Sequence, residues 1–265
     1  MVIIPEGDAI LPTNVMRNIR LILAYDGSNY CGWQRQPGAP TIQASVEEAI
    51  EKLTGIATPI CGAGRTDAGV HALHQVANFH TASTIPGGNL AKALNDLLPP
   101  AIRVMRAEDV DPAFHSRYDA RGKTYWYRIV QTPVCSPLLW RFVHHYPYAL
   151  DHKPMEQAAR LFEGQHDFTS FAASAGREEE NTKSNVRVIC LSRVRSRPLR
   201  SMLVYEVSGT GFLRYMVRNI VGTLLEVGRG KLAPDDILRI LAARDRSQAG
   251  PTAPAQGLCL MNVEF

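Results

Sequence analysis

The chain has 265 residues, 45% of them apolar, enough to bury a substantial core in one large domain or two of ordinary size. Its formal charge of +4 rests on 23 arginines and six lysines, a bias that leans toward an anionic or nucleic-acid partner, because the planar guanidinium pairs bidentately with phosphate and stacks on bases. No apolar run nears the roughly 18 residues of a membrane span, and the five scattered cysteines form no C-x-x-C pair, which argues against a disulfide framework or a structural zinc and suggests a reducing, cytoplasmic setting. Residues 1–16, broken by Pro5, Glu6, Asp8 and Pro12, read as a loosely ordered extension. "IRLILAY" (Ile19 to Tyr25) then reads as a buried strand stopped by Asp26-Gly27. Ile42, Val46, Ala49, Ile50 and Leu53 recur at helical spacing, a short strand is expected near Thr58 to Cys61, and "HQVANFH" is a third strand. Leu90, Ala93, Leu94 and Leu97 mark a second helix closed by Pro99-Pro100, followed by the strand "IRVMRAEDV".

The second half repeats this order. "KTYWYRIV" is a strand, "PMEQAARLFEG" a helix, and "VRVICLSRV" and "MLVYEVSG" a strand pair around Pro198. Leu213, Met216, Val217, Ile220, Val221, Leu224 and Leu225 form a helical stripe ending at Gly228; a further helix covers Pro234 to Ala243, and "LCLMNVEF" is the last strand. The expected fold class is α+β, with two ferredoxin-like, RRM-like β-α-β-β-α-β halves (17–115 and 116–265), mainly antiparallel sheets, and a cleft between them as the natural site. The acid-free patch "KSNVRVICLSRVRSRPLR" fits either a solvated strand edge or an RNA-contact face.

The stretch "CGAGRTDAGVHALHQ" places Asp67 among Ala63, Gly64, Ala68 and Gly69, with Arg65 two positions earlier. It is not a dinucleotide fingerprint: Asp67 stands where the last glycine belongs, and a carboxylate would repel pyrophosphate. His71, His74 and His80 lie close in sequence, yet their spacing on loop and strand is a poor match to a metal site. A two-carboxylate glycosidase needs a second acid facing the first, which the neighbourhood of Asp67 does not supply. A single carboxylate can still break a glycosidic bond when the leaving group is stable as an anion, as uracil is.

"GAGRTDAGVHA" closely resembles the catalytic motif of the tRNA pseudouridine synthase A family. "YDGSNYCGWQRQ", "TIQASVEEAI", "FHSRYDARGKTYWYRI", "GQHDFTSFAA", "GFLRYMVRNIVGTLLEVG" and "AGPTAPAQGLCLMNVEF" resemble further family signatures in family order, so the likeness runs from about Arg20 to Phe265. It implies a cytoplasmic, cofactor-free and metal-free isomerase that turns uridine into pseudouridine at positions 38 to 40 of the tRNA anticodon stem-loop and works as a homodimer. It also implies roles: Asp67 as the catalytic carboxylate, Arg218 of "MVRN" as its ion-pair partner, and Tyr125 as the aromatic that stacks on the base and relays its carbon-5 proton. Arg65 would help to displace the target nucleotide.

A nearby cation is expected to hold the Asp67 carboxyl low, since the chemistry needs it ionised. Arg214, four residues before Arg218, is expected on the same helical face. Trp33 fits either RNA contact or packing, while Arg35 and Arg117, with Arg121 near it, are candidate backbone contacts. Two alternatives stand beside this reading: a non-catalytic RNA-binding protein, and a pseudouridine synthase acting on another structured RNA.

Overall fold

The computed structural model describes residues 16–173, 184–197 and 201–265. The N-terminal extension, most of "GREEENTKSN", the turn at Pro198, and Lys183 and Arg200 of the basic patch lie outside the described residues. In the first half, β1 (Arg17–Tyr25) leads to α1 (Ile42–Thr54), β2 (Cys61–Gly62), β3 (His71–Thr81), α2 (Gly87–Leu97) and β4 (Ile102–Val110). Local chemistry sets the ends of α1: the Thr41 hydroxyl accepts from the Ala44 N–H at 3.3 Å, and Gly55, left-handed at φ 74°, donates its N–H to the Glu51 carbonyl. The second half comprises β5 (Gly122–Val130), β6 (His144–His145), α3 (His152–Arg160), β7 (Gly164–Asp167), β8 (Val186–Arg197), β9 (Met202–Gly209), α4 (Met216–Gly228), α5 (Asp236–Ala243) and β10 (Leu258–Glu264).

The expected elements form, with four differences, the first being that the helix read from "PMEQAARLFEG" spans His152–Arg160 and Gly164 opens β7. The two-residue β6 and the polar β7 carry no hydrophobic alternation; they exist because they pair with β5 and β8, respectively. The second strand of the first half shrinks to Cys61–Gly62. The helix anticipated from Leu213 begins only at Met216, because Tyr215 sits in the left-handed region at φ 63°.

Ten strands form one sheet in the order β4-β1-β3-β10-β5-β9-β8-β7, with β2 on β3 and β6 on β5. It is mostly antiparallel, which makes the class α+β. The strands before and after residue 116 join where β10 runs parallel to β3 for only two residues, Cys259 opposite His71 and Leu260 opposite Ala72. β2 occupies the same edge of β3 farther along, at Ala77 and Asn78. The loop carrying Asp67 leaves from the gap between these two pairings, and its start is tied down by the Ala63 N–H donating to the Val76 carbonyl at 2.7 Å.

Residues paired across strands share a face. Tyr25, Ala72, Leu260, Tyr125 and Val207 are register partners in succession across β1, β3, β10, β5 and β9, so one row of side chains crosses the junction of the halves. All five are buried and belong to the continuous core. This row is the floor of the site.

Candidate active site

The Asp67 loop is held mainly by backbone contacts. Gly32, at φ 95°, lies so close to Thr66 that a Cβ there would sit 2.5 Å from the Thr66 carbonyl oxygen. The Trp33 N–H donates to that same carbonyl at 3.0 Å, and the Tyr25 and Thr66 hydroxyls share a hydrogen bond of 2.9 Å. Trp33 is 2% exposed, with its indole against Gly62, which settles its role as a packing anchor rather than an RNA contact. The buried Gln75 donates to the Gly64 carbonyl at 2.8 Å. The "CGWQRQ" and "GAGRTDAG" segments thus form one unit in which the first braces the second.

Arg218 approaches from the other half. Its Nε donates to the Ala253 carbonyl at 2.8 Å, and one terminal nitrogen stands 3.4 Å from Asp67 Oδ2. α4 reaches this position because it touches the loop 250–254 backbone to backbone: a Cβ at Gly222 would lie 1.6 Å from the Pro251 carbonyl oxygen. Arg214 is not on the helix, so the expectation of a shared helical face is corrected; the left-handed turn at Tyr215 intervenes. The two arginines converge by another route, since both guanidinium groups pack on the Tyr215 ring, at 4.8 and 5.0 Å from its centroid, and Arg214 also bonds the Tyr215 hydroxyl.

The expected electrostatics of Asp67 are also corrected. Burial pushes its carboxyl above the ordinary aspartate value; Arg218, and more weakly Arg214, pull it back without reversing the direction. Removing the carboxylate from water costs more than a guanidinium at 3.4 Å returns. Tyr125 lies 7% exposed on the floor, edge-on to Phe212 with ring centroids 5.2 Å apart. Burial, with the Asp67 charge behind it, pushes its phenol up, so the hydroxyl stays protonated near neutrality.

Of the other expected site residues, Arg65 is exposed beside Asp67 and donates to the Gln34 side chain at 3.1 Å. Arg117 and Arg121 are exposed at the entrance to β5. The charge of Arg35 is already engaged by Glu47 at 2.9 Å. His71 accepts the Gly27 N–H at Nδ1, and burial pushes its pKa down, which suits a neutral packing histidine. Among the described residues no group of three or more His, Cys, Asp or Glu gathers as metal ligands, and no helix is long and apolar enough to cross a membrane. Two neighbours escaped the sequence reading: Tyr215, whose backbone conformation has no signature in its residue type, and Lys123, which the period of two along β5 places on the Tyr125 face.

The family profile described as tRNA pseudouridine synthase matches residues 21–119 and 158–265; Asp67 and Arg218 fall inside these segments and Tyr125 between them. The tRNA pseudouridine synthase A of Solibacter usitatus is 53% identical over 250 residues, covering 94% of this chain and 100% of that protein. Those of Acetivibrio thermocellus and Lacticaseibacillus casei are 46% and 43% identical, each covering 94% of this chain and 100% of the relative. The chain therefore belongs to the tRNA pseudouridine synthase family.

Proposed function

We propose that the protein converts uridine to pseudouridine in the anticodon stem-loop of tRNA, at positions 38 to 40, with Asp67 as the catalytic carboxylate. The observation that carries this reading is the approach of Arg218 to Asp67, one group from each half, above the buried row holding Tyr25 and Tyr125 in a member of this family. In the reaction the bond from ribose C1′ to uracil N1 breaks, the uracil turns, and a bond from C1′ to C5 forms. The carbon-5 proton leaves and N1 gains one, so atoms and electrons balance without a redox partner. Asp67 serves three routes equally: attack on C1′, addition to the uracil ring, or removal of the ribose 2′ proton. Each needs the carboxylate ionised, which is where Arg218 contributes.

The target uridine lies in or beside a stem and must be flipped out at a cost of a few kcal/mol. Tyr125, neutral at the base of the site, is suited to stack on the uracil and to pass the carbon-5 proton through its hydroxyl rather than to act as a standing base. Arg65, exposed beside Asp67, is suited to fill the gap left in the RNA, with Arg214 and Arg117 as backbone contacts. Arg35, tied to Glu47, ranks behind them.

The strand orders β4-β1-β3-β2 and β10-β5-β9-β8 support reading the chain as two ferredoxin-like halves that meet near residue 116. The exposed Val134, Leu138 and Trp140, on the segment between β5 and β6, support the expectation of a homodimer. A cytoplasmic setting follows from the substrate. A purely RNA-binding protein would gain nothing from a half-buried carboxylate where phosphates bind.

Tritium release from a tRNA transcript labelled at uracil carbon 5 tests the assignment. The native protein should release tritium, and Asp67→Ala should bind the same RNA and release none, a loss of ~1,000-fold or more. Binding without release by both proteins would remove the enzymatic reading for tRNA.

A further inference from the structure

Lys123 has no part in the chemistry above, yet its surroundings call for a partner. It lies on β5 two residues before Tyr125, and the strand's alternation sets both side chains on the same face. Its stem runs across the catalytic loop: a Cβ at Gly64 would meet Lys123 Cε at 3.0 Å, so the absence of a side chain at Gly64 is what leaves the lysine room. The Gly64 backbone is itself fixed by the Gln75 amide, so the lysine rests on a rigid support one residue from Arg65. Among the described residues no carboxylate pairs with its ammonium, and the charged neighbour that acts on it, Arg117, repels it. Burial, with that repulsion added, pushes its pKa down.

A half-buried ammonium without a counter-ion, next to a second cation, is costly unless an anion completes the arrangement. A nucleotide flipped out of its stem carries a phosphate on either side. We infer that Lys123, with Arg117 beside it, is the phosphate-binding clamp that holds the RNA backbone next to the flipped uridine. This rests on the pseudouridine synthase reading and adds to it a binding residue that fixes the nucleotide by its backbone, where Tyr125 takes its base.

The test is the salt dependence of tRNA binding by the full-length native protein, Lys123→Met, Lys123→Arg and, as a control, Lys52→Met, which removes an exposed lysine of α1. Each phosphate neutralised contributes a fixed increment to the slope of log Kd against log salt. Lys123→Met should lower that slope by about 0.7 to 1 and weaken binding about fivefold at low salt, while Lys123→Arg and Lys52→Met keep the native slope. Replacing single phosphates around the target uridine by neutral methylphosphonates should reveal one linkage whose change weakens native binding but adds nothing to Lys123→Met. A methionine variant with native melting temperature, slope and affinity overturns the inference, as does the lack of any such linkage. If Lys123→Met does not fold, Lys123→Gln takes its place in both measurements. Tritium release by the native protein is followed in parallel. Its absence would remove the enzymatic reading, while release with an unchanged slope would remove only the clamp.

Discussion

The two sides of the site are both built on glycines that admit a close neighbour, but the neighbours differ. On the Asp67 side Gly32 meets the Thr66 backbone, while a Cβ at Gly62, at the end of β2, would strike the Trp33 indole, 2.5 Å away. On the Arg218 side, a glycine brings helix against loop, and what a Cβ at Gly222 would strike is the Pro251 carbonyl oxygen, at 1.6 Å. A side chain can turn away, but a backbone on both sides cannot. Gly62 and Gly222 thus differ in what must yield to an added methyl group, a side chain at the first and a backbone at the second.

This contrast is broken or sharpened first by adding one methyl group to each side. Gly222→Ala should cost ~3 kcal/mol or more, since overpacking against backbone has no cheap relief, and should displace Arg218 from the Ala253 carbonyl. Gly62→Ala should cost less, ~1 to 3 kcal/mol, yet should reduce turnover about 100-fold, because moving Trp33 shifts Thr66 and with it Asp67 by a fraction of an ångström to an ångström. Thermal melts together with single-turnover tritium release measure both quantities. Equal stability losses would mean that the Trp33 indole is held as firmly as the Pro251 backbone.

The second intervention weakens the electrostatic link between the two sides. In Arg218→Gln the cation that partly offsets burial is gone, so the Asp67 carboxyl rises further above its ordinary value. The ionised fraction then falls at any given acidic pH. The acid limb of kcat/KM should move to higher pH, and the activity deficit, about tenfold or more at neutrality, should narrow toward alkaline pH. A deficit of constant size at all pH values would assign Arg218 to RNA positioning alone.

Much of this arrangement was legible in the sequence, for identifiable reasons. The period of two along "KTYWYRIV" and the stripe Met216, Val217, Ile220 and Leu224 depend on burial, which residue type records directly. The motif around Asp67 located the carboxylate, and "MVRN" located its partner. What escaped depends on tertiary placement. β6 and β7 form on edges that only the assembled sheet provides, and the late start of α4 depends on a left-handed Tyr215 that residue type does not announce. The direction of the Asp67 shift was read from its partner's charge, whereas burial, a property of the whole cleft, is the larger influence.

That raised value has a thermodynamic consequence, and it is the smallest effect expected here. In the unfolded chain Asp67 titrates at the ordinary aspartate value; in the folded chain burial lifts it. Between the two values the native state binds more protons than the unfolded state, so stability falls as pH rises through that window and stays lower on its alkaline side. The fold thus keeps this carboxylate at the expense of stability, a trade expected of a functional site. Asp67→Asn removes the charge and nearly preserves the shape. Arg218 loses its partner at 3.4 Å but retains the Ala253 carbonyl, so the relief of burial should dominate. The variant, expected to release no tritium, should melt about 2 °C or more above the native protein on the alkaline side, with the difference shrinking toward acid, where native Asp67 is itself neutral. A variant that melts lower by the same amount at every pH would mean that the Asp67–Arg218 contact is a structural tie between the halves, and that burial of the carboxylate is compensated within the fold.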